Sequence, residues 1–312
     1  MNKIINVFNW LKNTKASEKN IVLTKRYAHS IMPKRPVNSN KSMFGSVLNV
    51  AGSINYRGAA VLSSVAVLKV GAGYSTLACP SIVANSITSY IPDIVTIPLT
   101  MKNGSIMKDE YKKILLLLPK YHVFSIGSGL CSILSNNKGV KKFFTMLIHS
   151  ISSITIPVII DADGLNILSE LKSVVLPAFT ILTPHPKELS RLLHVETAVI
   201  QSDRVRYAKE AAKHYSAVIV LKGSNTIITN GEQVFINTTG NSALAKAGSG
   251  DVLTGIIAGL CAQGLSILDA ACFGVFLHGL SGDLAKKDCT EYGVLASDLL
   301  HYIPMALEVL SK

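Results

Sequence analysis

From residue 46 onward, short apolar runs rich in β-branched residues alternate with stretches of helical character, and this alternation restricts the fold more than any other property of the chain. Residues 46–51 precede a helical stretch at 59–69, residues 122–126 precede one at 140–149, and residues 157–161 precede one at 165–171. A strand, a helix and a second parallel strand join by a right-handed crossover, so the pattern predicts an α/β fold with a mostly parallel central sheet and helices on both faces. Further strands are expected at 180–183 and 217–221, with an amphipathic helix over 203–215. The runs at 225–229 and 233–236 flank Asn230-Gly231, a two-residue hairpin signal. After Asp251 the chain reads as helical to its end, through 266–287 and 297–310. No linker, repeat or low-complexity tract divides it. Residues 22–312 therefore read as one domain, preceded by a leader over residues 1–21.

Composition narrows the class. Hydrophobic residues make up 48% of the 312 and charged residues 16%, which points to a globular protein with an extensive interior. The formal net charge of +12 comes from scattered lysines, without an arginine-rich or aromatic-interleaved run, so an anionic small molecule is expected and nucleic acid is not. Five cysteines, at 79, 131, 261, 272 and 289, form no CxxC pair; they fit free thiols in a reducing compartment, cytoplasmic or an organelle matrix or stroma. The apolar run at 252–268 is broken by Thr254, Gln263 and three glycines, and it reads as a buried helix rather than a membrane span, with no stable membrane association expected. Residues 1–20 carry a short basic amphipathic pattern without a small-residue cleavage site, hence a leader helix and not a signal peptide.

In an open parallel sheet, ligands gather at the loops beyond the carboxyl ends of the strands. Every unusual motif of the chain falls there. Ala247-Gly248-Ser249-Gly250-Asp251 runs straight into an apolar helix, and small residues followed by a helix N-terminus suit a phosphate. Asp251 at the rim of such an anion hole either caps the helix or removes a proton from a hydroxyl about to attack phosphorus. Gly52-Ser53 with Tyr56-Arg57-Gly58-Ala59-Ala60, and Ile126-Gly127-Ser128-Gly129, allow close backbone approach to a ligand or ordinary helix–sheet packing. Asp161-Ala162-Asp163-Gly164 offers two carboxylates for a metal or a polar network, or Asp163 as an N-cap. In Thr183-Pro184-His185-Pro186-Lys187-Glu188 the prolines hold His185 and Glu188 at defined angles, to serve a ligand, water or magnesium ion, or to cap a helix. Lys222-Gly223-Ser224-Asn225-Thr226 ends a buried strand with a cation and a flexible turn, while His278 reads as a packed core histidine.

Taken in order, Tyr56-x-Gly-Ala, Ile126-Gly-x-Gly, Asp161-Ala-Asp-Gly-Leu-Asn, Thr183-Pro-His-Pro-x-Glu, Leu221-Lys-Gly, Thr239-Gly-Asn, Gly248-Ser-Gly-Asp-Val-Leu-Thr-Gly and His278-Gly-x-x-Gly-Asp resemble the ADP- or ATP-dependent NAD(P)H-hydrate dehydratase family, a branch of the ribokinase-like three-layer fold. The resemblance covers residues 22–310. The chain departs from it at Ala247, where the family usually has glycine, at Ser249 for threonine, and at Asn40-Lys41-Ser42 for His-Lys-Gly. Ser249 keeps the hydroxyl and Ala247 stays small, so the anion hole is expected to survive.

The resemblance implies a metabolite-repair enzyme that returns hydrated NADH or NADPH to the working cofactor. A phosphoryl group passes from the nucleotide to the ring hydroxyl, and phosphate then leaves. It implies Asp251 as the base. Ala59, Gly127, Gly129, His185 and Asp251 would contact the hydrate; Lys222, Gly223, Ser224, Asn225, Thr226, Gly248, Ser249 and Gly250 would hold ADP or ATP. Glu188 is the candidate for ordering Mg2+, and a homo-oligomer, a tetramer, is expected. A ribokinase-like kinase acting on a thiazole or pyridoxal-type alcohol is the alternative; it would more often carry Asn where this chain has His185.

Overall fold

Successive residues of the central strands point to opposite faces of one sheet, and both faces are buried. Ile159 packs into the core on one face while its neighbours Val158 and Ile160 pack into the core on the other; Val123 and Phe124 divide in the same way. Such strands are buried and mostly apolar on both faces, with only small polar residues such as Ser125 and Thr180 among them, as a sheet covered by helices on both sides requires. The structure, a computed structural model, describes residues 20–87, 91–102, 105–130 and 138–312. The expected leader lies outside these residues up to position 19, as does Cys131.

The strands of the main sheet are β1 (Ile21–Val22), β2 (Ser46–Val50), β3 (Tyr74–Pro80), β4 (Val95–Leu99), β7 (Val123–Ile126), β8 (Val158–Ile160), β9 (Thr180–Leu182), β10 (Val218–Leu221), β11 (Ile227–Thr229) and β12 (Val234–Ile236); β5 (Met101–Lys102) and β6 (Ser105–Ile106) form a separate hairpin. Their order across the sheet is β4-β3-β2-β7-β8-β9-β10-β11-β12-β1. All pairings are parallel except those of β11 with β10 and β12. The three-layer, mostly parallel architecture expected from the sequence is thus observed. Strand order reverses between β2 and β7, and the crevice at such a switch point is where ligands bind. There Gly52 N, after β2, donates to Ser128 O, after β7, over 2.8 Å.

Several elements differ from expectation for local reasons. The turn between β11 and β12 spans four residues, not two: Thr229 pairs with Val234, Asn230 Oδ1 accepts from the amides of Glu232 and Gln233, and Gly231 sits at φ 94°. The side chain of Asn230 closes the turn in place of a tight backbone turn. The apolar run at 252–268 is not one helix. Ser249–Ala262 ends at Gln263-Gly264, and Ser266 caps the next helix, Ile267–Gly293, by accepting from Asp269 N at 3.1 Å. That second helix is long and apolar enough to span a bilayer, yet 67% of its most apolar window is buried within the fold. Ser249–Ala262, Ile267–Gly293 and Ala296–Ser311 pack with Arg57–Lys69 on one face of the sheet, and Lys138–Ser150, Asp163–Leu168, Pro186–Leu193 and Arg204–Tyr215 on the other. Cys79, Cys261 and Cys272 are buried and free, and Cys289 is free and partly buried. Burial pushes the thiols of Cys79 and Cys261 up to about 12.

Candidate functional site

The helix Ser249–Ala262 is preceded by Gly248 at φ 93°, a backbone shape that favours glycine, and no side chain caps it. Ser249 N donates to Lys246 O at 3.3 Å, and the amides of Gly250 and Asp251 face outward at the positive end of a helix dipole, where a ligand or water can accept from them. Asp251 is the third residue of the helix, and Gly248 holds the cap position, so the plainer role of Asp251 as the helix cap is not what the structure contains. Ser249 Oγ lies 3.1 Å from His278 Nε2. His278 is buried, as expected of a core histidine, and burial pulls its pKa down to about 4, so it is a neutral hydrogen-bond partner of the loop.

Around Asp251 the carboxyl ends of β8, β9 and β10 deliver charge. Asp161, 1% exposed just beyond β8, accepts from Thr183 Oγ1 at 2.7 Å and Lys222 Nζ at 2.8 Å on one oxygen, and from Thr254 Oγ1 at 2.9 Å on the other. Thr254 is one turn beyond Asp251 on the same helix, so one buried carboxylate joins three strand ends to the loop helix. Burial works against the charge of Lys222, but the carboxylates of Asp161, Glu188 and Asp251 more than offset it and raise its pKa. Asp251 itself is pushed up to about 7, by burial first and then by the like charges of Asp161 and Asp163; the Ser128 hydroxyl and Lys222 pull the other way. A carboxylate that titrates near neutrality is suited to take a proton and return it.

His185 and Glu188 form a capping box at the start of Pro186–Leu193. His185 Nδ1 accepts from the amides of Lys187 and Glu188 at 3.1 and 3.2 Å, and Glu188 Oε2 accepts from His185 N at 2.8 Å. The ring proton therefore sits on Nε2, and burial lowers the His185 pKa, so the ring is a neutral donor. Glu188 Oε2 is 3.6 Å from Lys222 Nζ, and Glu188 Oε1 is 3.4 Å from His185 Nε2. Among the described residues no group of three or more His, Cys, Asp or Glu converges as a metal site.

The loop after β7 demands its glycines. A Cβ on Gly127, at φ 131°, would fall 1.9 Å from the Asp161 carbonyl oxygen, and one on Gly129 would meet Ala59 Cβ at 2.8 Å and Tyr56 Cβ at 2.9 Å. Gly129 and Ala59 are thus neighbours across the switch point. Gly250 lies on the other flank: a Cβ there would be 3.5 Å from Lys222 Nζ. Lys222, Gly248, Ser249, Gly250, Asp251, His185 and Glu188 are brought to one place. Ser224, Asn225 and Thr226 form the outer part of the turn, where Thr226 Oγ1 donates to Gly223 O at 2.9 Å and Asn225 adopts φ 54°.

Sequence reasoning offered a polar network as one reading of Asp161 without naming its partners, and it missed the parts played by Ser128, Thr254 and Arg204. Arg204 donates to the carbonyls of Leu221, Lys222 and Ser224 and so fixes the Lys222 turn from below. Its only signal was a cation at a helix start, where the dipole disfavours one. Ala162, a non-glycine residue at φ 48°, marks backbone strain beside Asp161 that no pattern announces. The motifs at 239–241 and 278–283 also interlock: Gly240 N and Asn241 Nδ2 donate to the Asp283 carboxylate at 2.8 and 2.9 Å.

A family model described as NAD(P)H-hydrate dehydratase matches residues 47–305. The chain belongs to this family. A relative in Moorella thermoacetica, a bifunctional NAD(P)H-hydrate repair enzyme, is 38% identical over 93% of the chain and 54% of its own length. The ADP-dependent (S)-NAD(P)H-hydrate dehydratase of Neisseria meningitidis is 32% identical over 88% of each protein. The chain spans about half the length of the bifunctional relatives it matches. Among solved structures, the ADP/ATP-dependent NAD(P)H-hydrate dehydratase of Bacillus subtilis, co-crystallised with ATP and Mg2+, superimposes with a TM-score of 0.80 at 29% identity, over 94% of this chain and 100% of that one. The hydroxyethylthiazole kinase of Pyrococcus horikoshii, at 13% identity and a TM-score of 0.57, shares the fold alone.

Proposed function

We propose that this chain is a nucleotide-dependent NAD(P)H-hydrate dehydratase. The reaction joins a kinase step to an elimination. Asp251 takes the proton of the ring hydroxyl as that oxygen attacks the terminal phosphorus of ADP or ATP and expels AMP or ADP; the ring C–O bond then breaks to release inorganic phosphate, and the adjacent ring carbon gives up a proton as the double bond forms. The observation that carries this reading is Asp251 itself, a carboxylate whose pKa stands at about 7 in the first turn of an uncapped helix. At neutral pH a good share of it is ionised and basic enough to accept a hydroxyl proton. The amides of residues 248–251 and the Lys222 ammonium would stabilise charge on the phosphoryl group in flight.

In this reading the hydrate lies along Ala59, Gly127, Gly129, His185 and Asp251, at the switch point, and the neutral His185 donates to it from Nε2. The adenine nucleotide lies along residues 222–226 and 248–250. Mg2+ would supply charge neutralisation at the nucleotide's phosphates. Glu188 is the residue that would order it, but its oxygens already engage the His185 amide and face the His185 ring and Lys222, so the ion is expected to arrive with the nucleotide. A homotetramer and a reducing compartment complete the proposal. Most of the apolar surface of the late helices is spent on the chain's own core, which leaves Tyr292, Leu295, Met305 and Val309 as their exposed apolar residues. Recovery of NADH absorbance from its hydrate, with ADP and ATP supplied separately, tests the function. Recovery with neither nucleotide would overturn it.

A further inference from the structure

The loop after β7 contains a buried hydroxyl that faces Asp251 without closing a well-formed hydrogen bond. Ser128 is 2% exposed, and among the described residues its Oγ has no hydrogen-bond partner of good geometry. Burying a hydroxyl without a partner costs free energy, so such a group calls for an explanation in what the site binds. The backbone of Ser128 is fixed on both sides. Its carbonyl accepts from Gly52 N at 2.8 Å, Gly127 is wedged against the Asp161 carbonyl, and Gly129 against Tyr56 and Ala59. A side chain held so firmly cannot swing out to solvent.

We propose that Ser128 is a positioning residue for Asp251: its hydroxyl holds the ionised carboxylate toward the substrate hydroxyl and keeps its own lone pairs free for that hydroxyl's proton. The inference rests on the reading of Asp251 as the base. Asp251 is faced by Asp161 from the end of β8, by Asp163 from the helix after it, by Lys222 from the end of β10, and by Ser128 from the loop after β7. The two carboxylates favour its protonated form. Lys222 and Ser128 favour its charged form, and Lys222 is already shared with Asp161 and Glu188. Ser128 is the neutral donor of the set, so it supports the carboxylate without repelling or binding the phosphates.

The test is Ser128→Ala, read in three ways. Because the hydroxyl closes no other hydrogen bond in the fold, the melting temperature is expected to stay at the wild-type value. The acid limb of the kcat profile is expected to move up by about half to one pH unit, with KM for the hydrate little changed, since a hydrogen bond to the charged form is lost. The third reading needs no turnover. ADP affinity, measured by calorimetry across pH, weakens as Asp251 ionises beside the phosphates, and that weakening is expected at higher pH in the variant; the titration of ADP itself is common to both proteins. Superimposable profiles in wild type and variant would overturn the proposal, as would an equal loss of activity at every pH accompanied by a lower melting temperature. Should the wild type fail to dehydrate the hydrate while the ADP profiles still separate, the functional reading falls and the role of Ser128 stands.

Discussion

Lys222 donates its ammonium proton to Asp161 Oδ1 over 2.8 Å, and the pair stands between the turn at residues 222–226 and the helix that carries Asp251. Lys222 is largely buried and Asp161 almost wholly so. A pair of this kind is costly to break from one side, because the remaining charge keeps its desolvation penalty and loses its partner.

Lys222→Ala is therefore expected to destabilise the fold by about 3 kcal/mol at neutral pH, and Asp161→Asn by a similar amount. The double variant should cost clearly less than the two together, as a double-mutant cycle in denaturant would show. Lys222→Ala should also weaken nucleotide binding by about 1–3 kcal/mol, more than hydrate binding, since a charge-assisted contact to phosphate is lost. Additive stabilities, or equal loss for both ligands in calorimetry, would contradict the assignment.

Asp251 predicts a pH dependence of stability with a definite sign. Its folded pKa of about 7 lies above the ordinary carboxylate value of 3.8, so the folded state holds this proton more tightly than the unfolded state does. The resulting stabilisation is complete below pH ~4 and is lost as pH rises through ~7. Asp251→Asn removes the ionisation, so the variant should match wild type near pH 4 and exceed it by about 2 kcal/mol near pH 8, after allowance for relaxation of a partly exposed group. Melting curves at the two pH values check this, and a variant less stable than wild type at the higher pH would count against the burial of the charge.

His278 acts in the opposite sense. Its folded pKa, about 4, lies below the ordinary 6.5, so the unfolded chain takes the proton first. Stability from the neutral ring is fully present above pH ~6.5 and is lost as pH falls toward ~4. His278→Gln, which can still hydrogen-bond Ser249, should flatten that decline. A slope identical to wild type between these values would show that His278 titrates normally.

The legible part of the molecule was the part that repeats. Alternating apolar strands such as residues 158–160 and helices such as 204–215 declare themselves by period, and burial on both faces enforces that period. The glycine loop, the prolines around His185 and the lysine after β10 were legible because each restricts the backbone. What stayed hidden depends on distance in space. Thr254 and Asp161 are 93 residues apart, and nothing in either neighbourhood reveals their hydrogen bond. Ser128 was read as the unspecified residue between two glycines, and its meaning came only from burial without a partner. Whether Asp251 holds the helix cap was likewise open in the sequence, and the structure puts Gly248 there instead.

The central claim is that Asp251 takes the proton of the attacking hydroxyl, and turnover of NADH hydrate by Asp251→Asn, measured beside nucleotide affinity on the same protein, tests it most directly. Asn nearly matches Asp in shape and removes a negative charge from beside the phosphates. The account predicts a folded variant that binds ADP or ATP at least as tightly as wild type and turns over about 10²-fold more slowly or less, the usual contribution of a positioned base. Turnover within about threefold of wild type, far below the loss expected for a general base, would contradict it.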